Sequence, residues 1–331
     1  MQLIALIKEI GRGAKGARDL AEDDAAHLFA AMLDGAIGEL ELGAILMAYR
    51  IKGESLAELR GFHRALRERV IPIAPGPRRP IVFASYNGAR KQANLLPLLA
   101  LLLESHGVPV LIHGVRHDAS RITTAEILEA LGNPVSETAA HAAERIAGAR
   151  VAFLPTEIMS PALARLLATR ERLGVRSSAH TIAKLADPFG GNCLHVIGVT
   201  HPDYMARLRE FLLATRADAL LLRGTEGEAF ANVRKQPVVE HFRGGATATL
   251  LDMRHFDEDT NVPLCTSAVM TADWTRRVLA HEERPPEAII NQLACCLFAS
   301  GSAATIAEAM TEARRPLLSA STRCLTGAIP R

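Results

Sequence analysis

Ile81-Val82-Phe83-Ala84-Ser85-Tyr86-Asn87-Gly88-Ala89-Arg90-Lys91 sets a short apolar run directly before a polar turn. Ala93 to Glu104 follows and is almost unbroken leucine, and Val108 to Ile112 is apolar again, ending in His113-Gly114. This reads as strand, turn, buried helix, strand, the opening of an α/β domain. A strand feeding a helix N-terminus is a natural anion site, because free backbone N–H groups and the helix dipole face it. The turn is nevertheless poor in glycine and carries two adjacent cations. It suits phosphate, but not the close backbone wrap of a glycine-rich nucleotide loop.

From residue 81 the same rhythm continues, with candidate strands at 81–84, 108–112, 151–154, 194–199, 218–222 and 247–251. Helical stretches lie between most of them, which predicts a mostly parallel central sheet covered on both faces. Residues 161–187 interrupt the alternation with two helical stretches. The C-terminal third shows helices at Asp273–His281, Pro286–Ala299 and Ser302–Ser319. Residues 1–70 look all-helical. Asp19 is placed to cap a helix over about Leu20–Asp34, Gly35 stops it, and a second helix spans about Glu39–Lys52. Gly53 stops that one and Ser55 caps a third. Pro72, Pro75, Pro77 and Pro80 then break the chain into a linker. The expected organisation is α/β, with a small helical domain over 1–73, joined by helices from 161–187. A larger α/β domain spans 74–160 and 188–331.

Composition narrows the function classes. The 331 residues are 49% apolar, only 4% aromatic, and carry a net charge of +2. A disordered chain is excluded. No apolar run is long enough to span a bilayer, and the N-terminus lacks the basic start of a signal peptide, so a cytoplasmic protein is expected. Cys193, Cys265, Cys295, Cys296 and Cys324 form no CxxC pair and read as reduced buried thiols. His113, His117, His201 and His255 have no ligand spacing, so neither a metal site nor a cofactor is expected. Ser177-Ser178 with His180 has no oriented acid, and Asp257-Glu258-Asp259 reads as a solvated loop. No catalytic constellation emerges.

Leu33-Asp34-Gly35, Leu46 to Ser55, His113-Gly114-Val115-Arg116, Glu126 to Gly132, Asp187-Pro188-Phe189, Gly198 to Pro202 and Arg223-Gly224-Thr225-Glu226-Gly227 occur in an order that resembles anthranilate phosphoribosyltransferase. The resemblance covers essentially the whole chain. It implies a helical domain, a hinge, an α/β domain of the nucleoside phosphorylase/phosphoribosyltransferase type, and a homodimer formed through the N-terminal helices. Members of that family bind phosphoribosyl pyrophosphate on a Gly-Thr-Gly-Gly-Asp loop after the first strand. Ser85, Tyr86, Asn87, Gly88 and Ala89 stand there instead. The family's magnesium-holding Asp-Glu pair should follow Gly227 by two positions, where Ala229 and Phe230 cannot ligate a hard cation. Losing both features together argues against transferase activity.

Positive charge stands where these features were lost. Arg90 and Lys91 follow the first strand, and Arg116 and Arg121 the second. Arg176 and Lys184 lie on the inserted helices, while Arg223, Arg234 and Lys235 follow a later strand. In a parallel sheet such positions gather along the carboxyl edge and could form a groove that tracks phosphates. Lys8, Arg12, Lys15 and Arg18 add a glycine-rich basic loop near the N-terminus. Each cation could equally be solvated or paired with a carboxylate. These departures resemble the nucleic-acid-binding branch of the family, whose members bind DNA or RNA with little sequence preference. The expected function is therefore sequence-nonspecific nucleic-acid binding, to a single strand first and a duplex second. Tyr86 could stack on a base or pack against the apolar helix. An active transferase using a phosphorylated sugar is the alternative, and a ligand-free scaffold a third.

Overall fold

The computed structural model describes residues 3–13, 15–257, 261–264 and 267–315. Within them the strands are β1 Ile81–Ser85, β2 Val110–Gly114, β3 Val151–Pro155, β4 Leu194–Val199, β5 Ala219–Arg223, β6 Lys235–Gln236, β7 Val239–Arg243, β8 Ala246–Leu251 and β9 Arg254–His255. The N-terminal helices are α1 Leu3–Ile10, α2 Glu22–Asp34, α3 Glu39–Lys52 and α4 Leu56–Arg67. Between strands lie α5 Leu96–Ser105, α6 Thr124–Ala130, α7 Ala139–Ala147, α8 Thr156–Met159, α9 Pro161–Leu173, α10 Ser178–Ile182 and α11 Pro202–Ala214. The chain then continues through α12 Ala268–Leu279, α13 Glu287–Ala299 and α14 Ile306–Ala313. None of the described helices is long and apolar enough to cross a membrane.

The main sheet runs in the order β3-β2-β1-β4-β5-β7-β8. Its first five strands are parallel, and β7 and β8 add an antiparallel edge. The strands are apolar on both faces because both faces are covered. Ile81 and Phe83 point into a core shared with α5 and α13, whereas Val82 and Ala84 point into a core shared with the helical bundle. The alternation of β-strand side chains thus divides one apolar run between two cores.

In the bundle, Gly61 lets α4 lie on α2: a Cβ there would strike the backbone of Glu22 and Ala26. Phe62 then stacks on Phe29, with ring centroids 4.6 Å apart. Helix α9 packs against α2, and the Arg165 guanidinium donates to the Leu33 carbonyl at 3.2 Å. The proline linker is tied down where Ile71 N donates to Met159 O and Ile73 N to Pro188 O, each at 2.8 Å.

Three local expectations change. Asp19 does not cap α2: the helix starts after Ala21, and Asp19 instead pairs with Lys52. The segment before Gly11 is a helix, α1. Strand β7 escapes the apolar pattern because Glu240, His241 and Arg243 interrupt it. Its hairpin to β8 turns on Gly244 and Gly245, both at positive φ (62° and 88°), as a tight two-residue turn requires. Cys193, Cys295 and Cys296 are buried as expected. Cys265, Cys324, Glu258, Asp259 and the end of the proposed last helix lie outside the described residues.

Fully buried Glu58 joins the bundle. Its carboxylate accepts from Leu20 N at 2.9 Å, Ser55 N at 2.8 Å, Lys52 Nζ at 2.7 Å and the Tyr49 hydroxyl at 3.3 Å. Glu58→Ala would leave Lys52, only 8% exposed, with the exposed Asp19 carboxylate as its counter-ion, and would leave the Leu20 and Ser55 amides without their acceptor. We expect a loss of about 3–5 kcal/mol, read as a lower urea midpoint. A change under about 1 kcal/mol would show that solvent already balances this charge.

Candidate functional site

The parallel strands end at one edge, and three loops meet there: 86–92 after β1, 200–201 after β4 and 224–230 after β5. Glycines set how closely they approach. A Cβ on Gly224 would collide with the Glu228 carbonyl, and one on Gly227 with the Asn87 side chain. Gly227 has φ 95°, and Glu226 beside it holds φ 52°, a rare conformation for a residue with a side chain. The tight turn aims two carboxylates back at the β1 loop. Glu228, fully buried, accepts from Asn87 N and Gly88 N, both at 2.8 Å. Glu226 accepts from Lys91 N at 2.9 Å and Arg90 N at 3.3 Å. The amides after β1 do form an anion site, but the anions are the protein's own carboxylates.

The same turn buries Ala229 and Phe230, each 1% exposed, in the core below the sheet edge. Gln292 on α13 clamps them by accepting from Ala231 N at 2.7 Å and donating to Ala229 O at 2.9 Å. These two positions offer no ligand atom and face away from any cation at the edge.

Tyr86 is 4% exposed, and its hydroxyl pairs with His113 Nδ1 at 2.8 Å. It offers no ring face to a base, and it packs against His113 in the core shared with the helical bundle rather than against the apolar helix α5. Burial, with a smaller effect from charged His195, lowers the His113 pKa to about 3. The neutral ring suits its place between strands. Ser85 donates to the Thr124 hydroxyl at 2.8 Å. Asn87 Oδ1, Thr225 Oγ1 and Glu228 Oε2 are buried without a protein partner.

The cations divide by their partners. Arg116 is held by Glu137 and Glu157, at 2.8 and 3.0 Å. Lys184 is buried and donates to Gly198 O at 2.6 Å and Gly227 O at 2.8 Å, so it fastens the turn rather than facing solvent. Arg121 pairs with Glu226 at 3.4 Å. Arg176 has no carboxylate partner among the described residues. It lines a cavity of about 370 Å³ with Arg50, Arg121, Arg170, Lys184 and His180. Burial first, and then the charges of Arg170 and Arg121, lower its pKa to about 10. Repelling guanidinium groups brought together in this way favour an anion.

Thr200 and Glu226 line both this cavity and a groove of about 710 Å³, which also presents Arg209, Arg223 and Lys235. Arg90, Lys91 and Arg234 are exposed but line neither space. Lys8, Arg12, Lys15 and Arg18 are also exposed, far along the chain in the bundle, and likewise line neither. Arg12 and Arg18 both pair with Glu9, at 2.7 and 3.7 Å. Arg50, Arg170 and Arg209 were not legible as site residues, because they sit on helices brought to the cleft by tertiary packing alone.

Two measurements test this arrangement. Glu228→Ala removes the one oxygen that accepts from both Asn87 N and Gly88 N; we expect about 3 kcal/mol of destabilisation and faster hydrogen exchange at those two amides. Glu228→Gln keeps an acceptor oxygen and should retain most of their protection; equal exchange in all three proteins would show that the carboxylate does not hold the loop. The second test concerns pH. Burial, then the charges of Arg176 and Arg170, lowers the His180 pKa to about 3. His113 and His180 therefore stay neutral in the fold while the unfolded chain takes up protons below the ordinary value of 6.5. Their contribution is intact above pH 6.5 and is lost as pH falls towards 3. Melting temperature should drop on acidification, and His180→Gln should flatten that drop; an unchanged slope would assign it to other groups.

Comparison with known proteins matches this geometry to a family. Residues 4–70 match the helical bundle domain, and residues 87–322 the a/b domain, of a glycosyl transferase family. The chain is 43% identical over 308 residues to the uncharacterized protein YbiB of Escherichia coli (strain K12), covering 92% of this chain and 96% of that one. It is 26% identical to the anthranilate phosphoribosyltransferase of Persephonella marina, covering 82% and 85% of the two chains. The crystal structure of anthranilate phosphoribosyltransferase from Thermus thermophilus superposes with a TM-score of 0.77 at 26% identity, over 97% of this chain and 96% of that one. With its helical bundle and its α/β domain both matched, this chain belongs to that glycosyl transferase family.

Proposed function

We propose that this protein binds the phosphate backbone of nucleic acid in its carboxyl-edge cleft and has lost phosphoribosyl transfer. The observation that carries the reading is the Glu228 carboxylate on the Asn87 and Gly88 amides. By resemblance, these amides belong to the loop that would hold a diphosphate, and an internal anion takes its place. Ala229 and Phe230 remove the carboxylates that would hold magnesium.

The cleft and the adjoining groove keep cations. Arg50, Arg176, Arg223 and Lys235 line them without a carboxylate partner among the described residues. A cationic track needs no single diphosphate pocket, and contacts to phosphates carry no sequence preference. We also propose a homodimer through the N-terminal helices. Ile4 on α1, with Leu40, Met47 and Ile51 on α3, supports it, since these apolar side chains are exposed. The names of the enzymes similar to this chain favour the second reading, a transferase.

Titration of a fluorescent single-stranded oligonucleotide at several salt concentrations tests the proposal. Four released counterions predict a slope of log affinity against log salt of about −3. Arg223→Glu with Lys235→Glu should weaken all sequences alike and reduce the slope by about one for each cation. Lys15→Glu with Arg18→Glu should weaken binding less, because those residues lie outside the cleft. Light scattering of the same sample should give twice the 35.6 kDa chain mass. No binding at low salt would end the nucleic-acid reading. Magnesium-dependent release of pyrophosphate from phosphoribosyl pyrophosphate would establish the transferase.

A further inference from the structure

The opposite end of the sheet carries a second polar cluster. Leu194 N, at the start of β4, donates to Pro80 O before β1, which marks the amino-terminal edge. Cys193 and His195 flank Leu194 there, and the turn from Asp187 folds back over them. Cys193 Sγ lies 3.3 Å from His195 Nε2 and 3.4 Å from Asp187 Oδ1, and His195 Nε2 is 3.9 Å from Asp187 Oδ2. One donor atom from each residue falls within 4.8 Å of the other two.

The turn is shaped to produce this convergence. Gly190 and Gly191 both hold positive φ, 62° and 94°. The Asp187 carboxylate accepts from the backbone N–H groups of Phe189 and Gly191. Backbone donors of this kind fix a ligating carboxylate in orientation before any ion arrives. The cluster also has access. It lines a cavity of about 570 Å³, together with His63 and Arg67 of α4 and Asp218 before β5.

The spacing discriminates among ions. A tetrahedral zinc with one sulfur, one nitrogen and one oxygen ligand places those atoms about 3.3 to 3.6 Å apart. Cys193 Sγ stands 3.3 Å from His195 Nε2 and 3.4 Å from Asp187 Oδ1, close to these values, while different Asp187 oxygens face Sγ and Nε2, so the carboxylate must turn for one oxygen to serve both. Thiolate and imidazole exclude calcium and magnesium, which take oxygen ligands. Three protein ligands with a cavity at the fourth position make an open site rather than a closed structural one.

We propose that Asp187, Cys193 and His195 form a three-ligand zinc site at the amino-terminal edge of the sheet, its fourth position facing the cavity. On binding, the Cys193 thiol proton and any second imidazole proton on His195 pass to solvent, and the metal takes their place. The site is independent of the carboxyl-edge cleft and of what that cleft binds.

Cobalt reports the site directly. The full chain, stripped with chelator under a phosphine reductant, is titrated with Co²⁺ and then with Zn²⁺. One Co²⁺ per chain should bind with a thiolate-to-cobalt charge-transfer band and tetrahedral visible bands, and one equivalent of Zn²⁺ should abolish both. Cys193→Ser, checked for native circular dichroism, should lose the charge-transfer band and bind at least 10-fold more weakly. Asp187→Asn should keep the band but weaken binding, and it serves if the serine variant does not fold. Absence of a charge-transfer band in the parent protein overturns the proposal. So does a band that survives Cys193→Ser, since the thiolate would then come from another cysteine.

Discussion

The bond from Glu228 to the amides of Asn87 and Gly88 governs how the edge of this molecule is built. It fixes the loop after β1 to the loop after β5, although 140 residues separate Gly88 from Glu228. Gly224 and Gly227 exist at their positions because the turn must pass close to its own backbone and to Asn87. Lys184 supports the same turn from the other side through the Gly227 carbonyl. The strained Glu226 is held by this framework, and its carboxylate covers the Arg90 and Lys91 amides of the β1 loop. The placement of Ala229 and Phe230 in the core follows from the same path. The apolar residues at 229 and 230 and the carboxylate on the β1-loop amides are therefore set by one and the same turn.

Much of the fold was legible in the sequence because both strong signals were present. Apolar runs of strand length alternate with helical stretches, and glycine or proline marks their ends. Ser55 caps its helix as the sequence suggested, and in the structure Glu58 completes a capping box with it. What the pattern missed has identifiable causes. Helix α1 is only eight residues long. Strand β7 carries three charged or polar residues among five, because its polar side chains meet partners such as Arg209 and Asp218. Asp19 has the right residue type for a cap, but Lys52 takes its carboxylate.

The candidate site was only half legible, and the reason is pairing. Sequence shows where a cation stands after a strand but not what neutralises it. Arg116 reads the same as Arg223 in the chain, yet two glutamates hold the first and none holds the second among the described residues. Lys184 looks like a groove cation and proves to be a buried fastener. Glu226 and Glu228 were visible as charges near the site, but their aim depends on a positive-φ turn that composition does not disclose. The Asp187, Cys193 and His195 cluster has no motif spacing at all. Its convergence comes from two glycines that reverse the chain into the start of a strand.

The filled anion site also bears on which ligands remain available. A diphosphate reaching for the Asn87 and Gly88 amides would have to displace a buried carboxylate from two charge-assisted hydrogen bonds. At about 1.5–3 kcal/mol each, that costs about 3–6 kcal/mol before any new contact forms. Every 1.4 kcal/mol is a factor of ten, so affinity for such a ligand would fall by about two to four orders of magnitude. A polyanion laid along Arg50, Arg176, Arg223 and Lys235 would meet no such penalty, because among the described residues those groups have no carboxylate partner to give up. Its binding energy grows with the number of phosphates engaged, and each contact is a modest one made at the rim. On the proposed reading, the same carboxylate that occupies the β1-loop amides leaves the cationic cleft open, and the chain's slight net charge of +2 conceals how unevenly that charge is arranged.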